Sequence, residues 1–158
     1  MKALIVYDTM FGNTQQIAEA IADEVAKKHT VTLVKAKLAS VNDLESMDLL
    51  IVGSPTHGGW YTEPVKNFLN AIPENGLRNK KAFAFDTTSS KEKEGWFVRM
   101  IIDFFGNASK RISRELVKKG AATVASEPFF VTGKEGPLQD GEIERAREFA
   151  KGIILTGA

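Results

Sequence analysis

Ala3-Leu4-Ile5-Val6-Tyr7, then Asp8, then Thr9-Met10-Phe11-Gly12-Asn13-Thr14 ahead of the apolar stripe Ile17, Ala18, Ile21 and Val25, reads as a strand, a tight loop and a helix N-terminus. The first backbone N–H groups of a helix have no partner within it. With the helix dipole behind them they favour an anion by a few tenths to about 2 kcal/mol. Gly12 lets the backbone come close, and Thr9, Asn13 and Thr14 add hydroxyl and amide donors, while no Lys or Arg occurs between Ala3 and Val25. The lysine of G-x-x-x-x-G-K-[ST] and the G-x-G-x-x-G of a dinucleotide site are both missing. The loop suits one phosphate group held by neutral donors. Its plainer reading is a capped strand-to-helix turn.

The 158 residues, 43% of them hydrophobic, suffice for one domain with a real core, and the expected unit is residues 1–158. A net charge of +1 argues for neither nucleic acid nor an anionic membrane. With no cysteine there is no disulfide, thiolate metal site or thiol redox chemistry, so a redox role needs a cofactor. No apolar run approaches the roughly 20 residues that span a bilayer, and no signal-peptide pattern precedes the first strand; the expectation is a cytoplasmic protein without a transmembrane segment.

Five strand candidates, Ala3–Tyr7, Val31–Val34, Leu49–Gly53, Lys81–Asp86 and Ala121–Ala125, alternate with helical patterns. The helical stripes run through Val65, Phe68, Leu69 and Ile72, through Ala108, Ile112 and Leu116, and through Ile143, Ala146, Ala150, Ile153 and Ile154. The segment from Ala36 to Met47 predicts a short helix with loops. This pattern predicts an α/β fold, a doubly wound five-stranded parallel sheet of order 2-1-3-4-5 with helices on both faces. Ligands of such sheets sit at the carboxyl ends of the strands, which directs attention to the loops after Tyr7, Gly53 and Asp86.

After the third strand come Pro55, Thr56, His57, Gly58, Gly59 and Trp60, where paired glycines permit a peptide that reorients and the rings offer flat faces. A planar, partly polar ring is the expected guest; the competing readings are a surface histidine and a tryptophan packed on its own helix. No ligand cluster supports a metal at His57. After the fourth strand, Asp86, Thr87 and Thr88 lead a hydroxyl-rich loop that ends at Trp96. Trp96 to Phe105, apolar but for Arg99 and Asp103, is expected to be a buried helix start, a homodimer contact, a lid or a partner surface. Lys110, Arg111, Arg114, Lys118 and Lys119, with Glu115 the single acid among them, form a basic helix surface.

These loops, in this strand order and over the whole chain, resemble those of the short-chain flavodoxins. The resemblance implies non-covalent FMN, its phosphate in the loop Thr9 to Thr14 and its isoalloxazine between the loops at Pro55–Trp60 and Asp86–Trp96. It implies that a peptide at Gly58-Gly59 turns over toward the flavin N5 on reduction. It also implies a carrier of low-potential electrons between redox partner proteins through a flavin semiquinone, with no catalytic side chain. Two features depart from the family: Phe11 replaces a hydroxyl residue or tyrosine, and the usual strong acidity is absent. The competing function is an FMN-dependent NAD(P)H:quinone-type oxidoreductase on the same fold. A receiver-type signalling domain of similar strand order lacks its acidic cluster, since Asp8 stands alone at the end of the first strand.

Overall fold

The computed structural model describes residues 1–89, 95–97, 100 and 106–157. Its strands are β1 (Lys2–Tyr7), β2 (Thr30–Lys35), β3 (Leu49–Pro55), β4 (Lys81–Ser89) and β5 (Thr123–Val131). All neighbours pair in parallel, in the order β2-β1-β3-β4-β5. The helices among the described residues are α1 (Asn13–Ala26), α2 (Glu63–Ala71), α3 (Ala108–Lys118) and α4 (Glu142–Gly157), with two short 3-10 turns between β2 and β3.

Strand alternation sorts the core into two halves. Ala3, Ile5 and Tyr7 of β1, Leu49 and Ile51 of β3, and Phe83 and Phe85 of β4 pack on α1 and α4. Leu4 and Val6, Leu50 and Val52, and Ala82 and Ala84 point the other way, onto α2 and α3. Because helices cover both faces, β1 and β3 are apolar without a polar alternate, as the Ala3–Tyr7 run already indicated. The order reverses between β1 and β3, and the crevice this opens lies outside their carboxyl ends.

Two strands run further than the sequence pattern predicts. β4 continues through Thr87 and Thr88 to Ser89, so these hydroxyls stand on a strand and not in a loop. β5 runs from Thr123 to Val131 and not from Ala121 to Ala125, carrying Pro128 opposite Asp86. As the sheet edge, β5 tolerates a proline whose missing N–H faces away from the ladder. Most of the Trp96–Phe105 stretch, with the dimer contact expected of it, lies outside the described residues; Trp96, Phe97 and Met100 are exposed. No helix among the described residues is long and apolar enough to cross a membrane.

Candidate functional site

Gly12 sits in the left-handed region, φ 88°, and turns the chain from the loop after β1 into α1. Its N–H donates to Thr9 Oγ1 at 3.0 Å, so Thr9 shapes the loop from within. No side chain caps α1. Among the described residues the backbone N–H groups of Met10, Phe11, Asn13, Thr14 and Gln15 have no protein acceptor. That is a run of unpartnered donors at a helix N-terminus, the physical requirement for holding a phosphate without a cation.

The side chains of this turn are tied into the fold. Thr14, 1% exposed, shares a hydrogen bond of 2.7 Å with Thr87 on β4. Two hydroxyls joined by one bond keep one proton between them for a further acceptor. Asn13 Nδ2 donates to the Glu135 carbonyl at 2.8 Å, fastening α1 to the segment between β5 and α4. Its side-chain amide is therefore a brace that uses one of its two N–H donors, and the other, with the backbone N–H, remains.

A cleft of about 440 Å³ opens beside this turn, within the size range of small-molecule sites. Met10, Phe11, Asn13 and Thr14 line it from the first loop, Pro55, Thr56, His57 and Gly58 from the second, and Thr87, Thr88 and Ser89 from β4. The structure thus brings the loops after β1 and β3 and the end of β4 to one cavity at the carboxyl edge of the sheet. Val131, Lys134 and Glu135 close the fourth side. Sequence reasoning missed this wall because it ended the fifth strand at Ala125; the turn-rich run Thr132-Gly133-Lys134-Glu135-Gly136-Pro137 was the available signal.

His57 to Trp60 form a tight hairpin. His57 N–H donates to the Trp60 carbonyl at 2.9 Å, and Trp60 N–H returns a bond to the His57 carbonyl at 3.0 Å. Gly58 and Gly59 both have positive φ, 56° and 81°, the pattern of a type I′ turn that side chains resist. Gly59 and Trp60 lie beyond the cleft lining, against α3, and Trp96 does not line the cleft either.

Asp86 is placed differently from the expectation that it faces the ligand. Strand alternation sends it to the α3 side of β4, fully buried, while Thr87 faces the cleft. It accepts from Thr56 Oγ1 at 2.5 Å, and Thr56 Oγ1 accepts the Ala108 N–H at 3.0 Å, so Asp86 joins the loop after β3 to the start of α3. Its Oδ1 has no hydrogen-bond partner among the described residues. Burial pushes its carboxyl up to about 6, against the opposing pull of nearby Ser109 and the Thr56 hydroxyl.

The geometry, unpartnered N–H donors beside a cleft of hydroxyls and a glycine turn, fits a phosphate-bearing planar cofactor. The comparisons agree. The chain is 38% identical over 74 residues to a flavodoxin of Aquifex aeolicus (strain VF5), covering 45% of this chain and 40% of that protein. It is 28% identical over 115 residues to NAD(P)H dehydrogenase (quinone) 3 of Rhizobium meliloti (strain 1021), covering 57% and 54%. The chain spans about half the length of the curated relatives it matches. Among solved structures, the Streptococcus pneumonia TIGR4 flavodoxin superposes with a TM-score of 0.75 at 23% identity, over 99% of both chains. The flavodoxin family model matches residues 5–149. With the match covering nearly the whole chain and the sheet order that of its structural neighbours, the protein belongs to the flavodoxin family, whose cofactor is FMN.

Proposed function

We propose that the chain is an electron carrier that holds FMN non-covalently and passes low-potential electrons one at a time between redox partner proteins. The observation that supports this most is the row of unpartnered backbone N–H groups at the start of α1, among the described residues, beside a cleft lined with hydroxyls. FMN supplies the redox chemistry; the protein binds, orients and shields it. In this reading the N–H groups of the α1 turn and the Thr14–Thr87 hydroxyl pair hold the phosphate. The His57–Trp60 turn and the end of β4 flank the ring, and Gly58 presents the peptide able to turn toward it. We also place the carrier in the cytoplasm, where cell fractionation should find it.

The second reading, an FMN-dependent NAD(P)H:quinone oxidoreductase, is favoured by the likeness to the Rhizobium meliloti enzyme. Mixing the FMN-loaded protein with NADPH under anaerobic conditions separates the two. A carrier keeps its yellow colour until a reductase is added; prompt bleaching by NADPH alone would support the enzyme.

A further inference from the structure

Among the described residues, one charged side chain holds the His57–Trp60 turn from outside. Arg111, in the first turn of α3, donates from Nε to the Gly59 carbonyl at 2.8 Å, and its guanidinium carbon lies 4.0 Å from the Trp60 ring centroid. A charged donor on a carbonyl and a cation on an indole face are each favourable, and the planar guanidinium serves both at once. Among the described residues, the His57 and Trp60 carbonyls are used within the hairpin, Arg111 takes Gly59, and the Gly58 carbonyl has no donor.

We propose that Arg111 is a positioning residue that fastens the Gly59 peptide and the Trp60 ring of this turn to α3, so that among its carbonyls the one of Gly58 is left without a fixed partner. Two adjacent glycines would otherwise sample many conformations, and ordering them is unfavourable in entropy. The clamp restricts that freedom to a single peptide. It also sets a fixed positive charge beside the turn, at the end of α3 that touches the site. The inference rests on the FMN reading for its redox consequence alone; the clamp itself is a property of the polypeptide.

The test uses Trp96→Phe protein, in which Trp60 is the single indole, with Arg111→Met and Arg111→Lys added separately. Far-UV circular dichroism and core amide exchange establish that each variant folds. Without FMN, Arg111→Met should speed exchange of the His57 and Trp60 amides about tenfold or more and raise acrylamide quenching of Trp60, since a hydrogen bond from a charged group has been removed. Arg111→Lys keeps the charge without the planar fork and should show the same loosening. With FMN bound, Arg111→Met should shift the reduction potentials to more negative values than Arg111→Lys, because the cation that favours added electrons is gone. Unchanged exchange and quenching in Arg111→Met would overturn the clamp, and so would wild-type values in Arg111→Lys. Failure of the parent protein to bind FMN would instead contradict the proposed function and leave the exchange result standing.

Discussion

Replacing Asp86 with Asn isolates the energetic consequence of a carboxylate buried beneath the site. The folded protein holds the Asp86 proton more tightly than the unfolded chain does, about 6 against an ordinary value near 3.9. The folded state therefore binds more protons between these values, and the stability Asp86 contributes falls as pH rises through that window. The penalty is absent below about pH 4 and complete above about pH 6. Its size is roughly 3 kcal/mol, taking 1.36 kcal/mol per tenfold over about two decades. Desolvation is the main cause, and the neighbouring Glu127 charge adds to it. Asp86→Asn keeps an acceptor for Thr56 and removes the charge. Urea unfolding of FMN-free protein should show the variant more stable than wild type at pH 7, the gap closing toward pH 4. A gap that stays constant from pH 4.5 to 7.5 would refute the reasoning, since then no proton uptake at Asp86 accompanies folding.

Other outcomes follow from the same geometry. Gly58→Val or Gly59→Val forces a β-branched residue into positive φ, a strain of about 1–2 kcal/mol that should appear as lost stability in urea unfolding of the FMN-free protein. Unchanged stability in both variants would contradict the turn geometry. Lys110 and Arg114 are exposed on α3 near the turn, and if this face steers an acidic redox partner, stopped-flow transfer rates should drop steeply with salt. Rates that stay flat up to physiological ionic strength would eliminate that steering. Thr87→Val breaks the hydroxyl pair and leaves Thr14 buried without its partner, which should destabilise the protein by about 1–3 kcal/mol in urea unfolding.

The sheet order and both helix layers were readable in the sequence because β1 and β3 are continuous apolar runs and the helices carry regular stripes. The first two loops were readable for a related reason. Gly12, Gly58 and Gly59 mark turns whose backbone conformation few other residues adopt, and all three have positive φ. What escaped depends on contacts distant in sequence. Pro128 suggests a loop until β5 is known to be the sheet edge, so the wall at Val131, Lys134 and Glu135 was invisible. Asp86 looked like a ligand group because local sequence does not say where a strand continues; once β4 runs to Ser89, alternation buries Asp86 and turns Thr87 to the cleft. Arg111 reads as one of several helix cations, and only the approach of α3 to the hairpin singles it out.

The central claim is that a phosphate is held by the start of α1, and titrating FMN and riboflavin into wild-type and Thr14→Ala protein tests it most directly. Loss of one charge-assisted hydrogen bond, roughly 1.5–3 kcal/mol, should weaken FMN about ten- to a hundredfold while riboflavin, which lacks the phosphate, changes little. Equal losses for the two ligands, or wild-type protein that binds neither, would contradict the account.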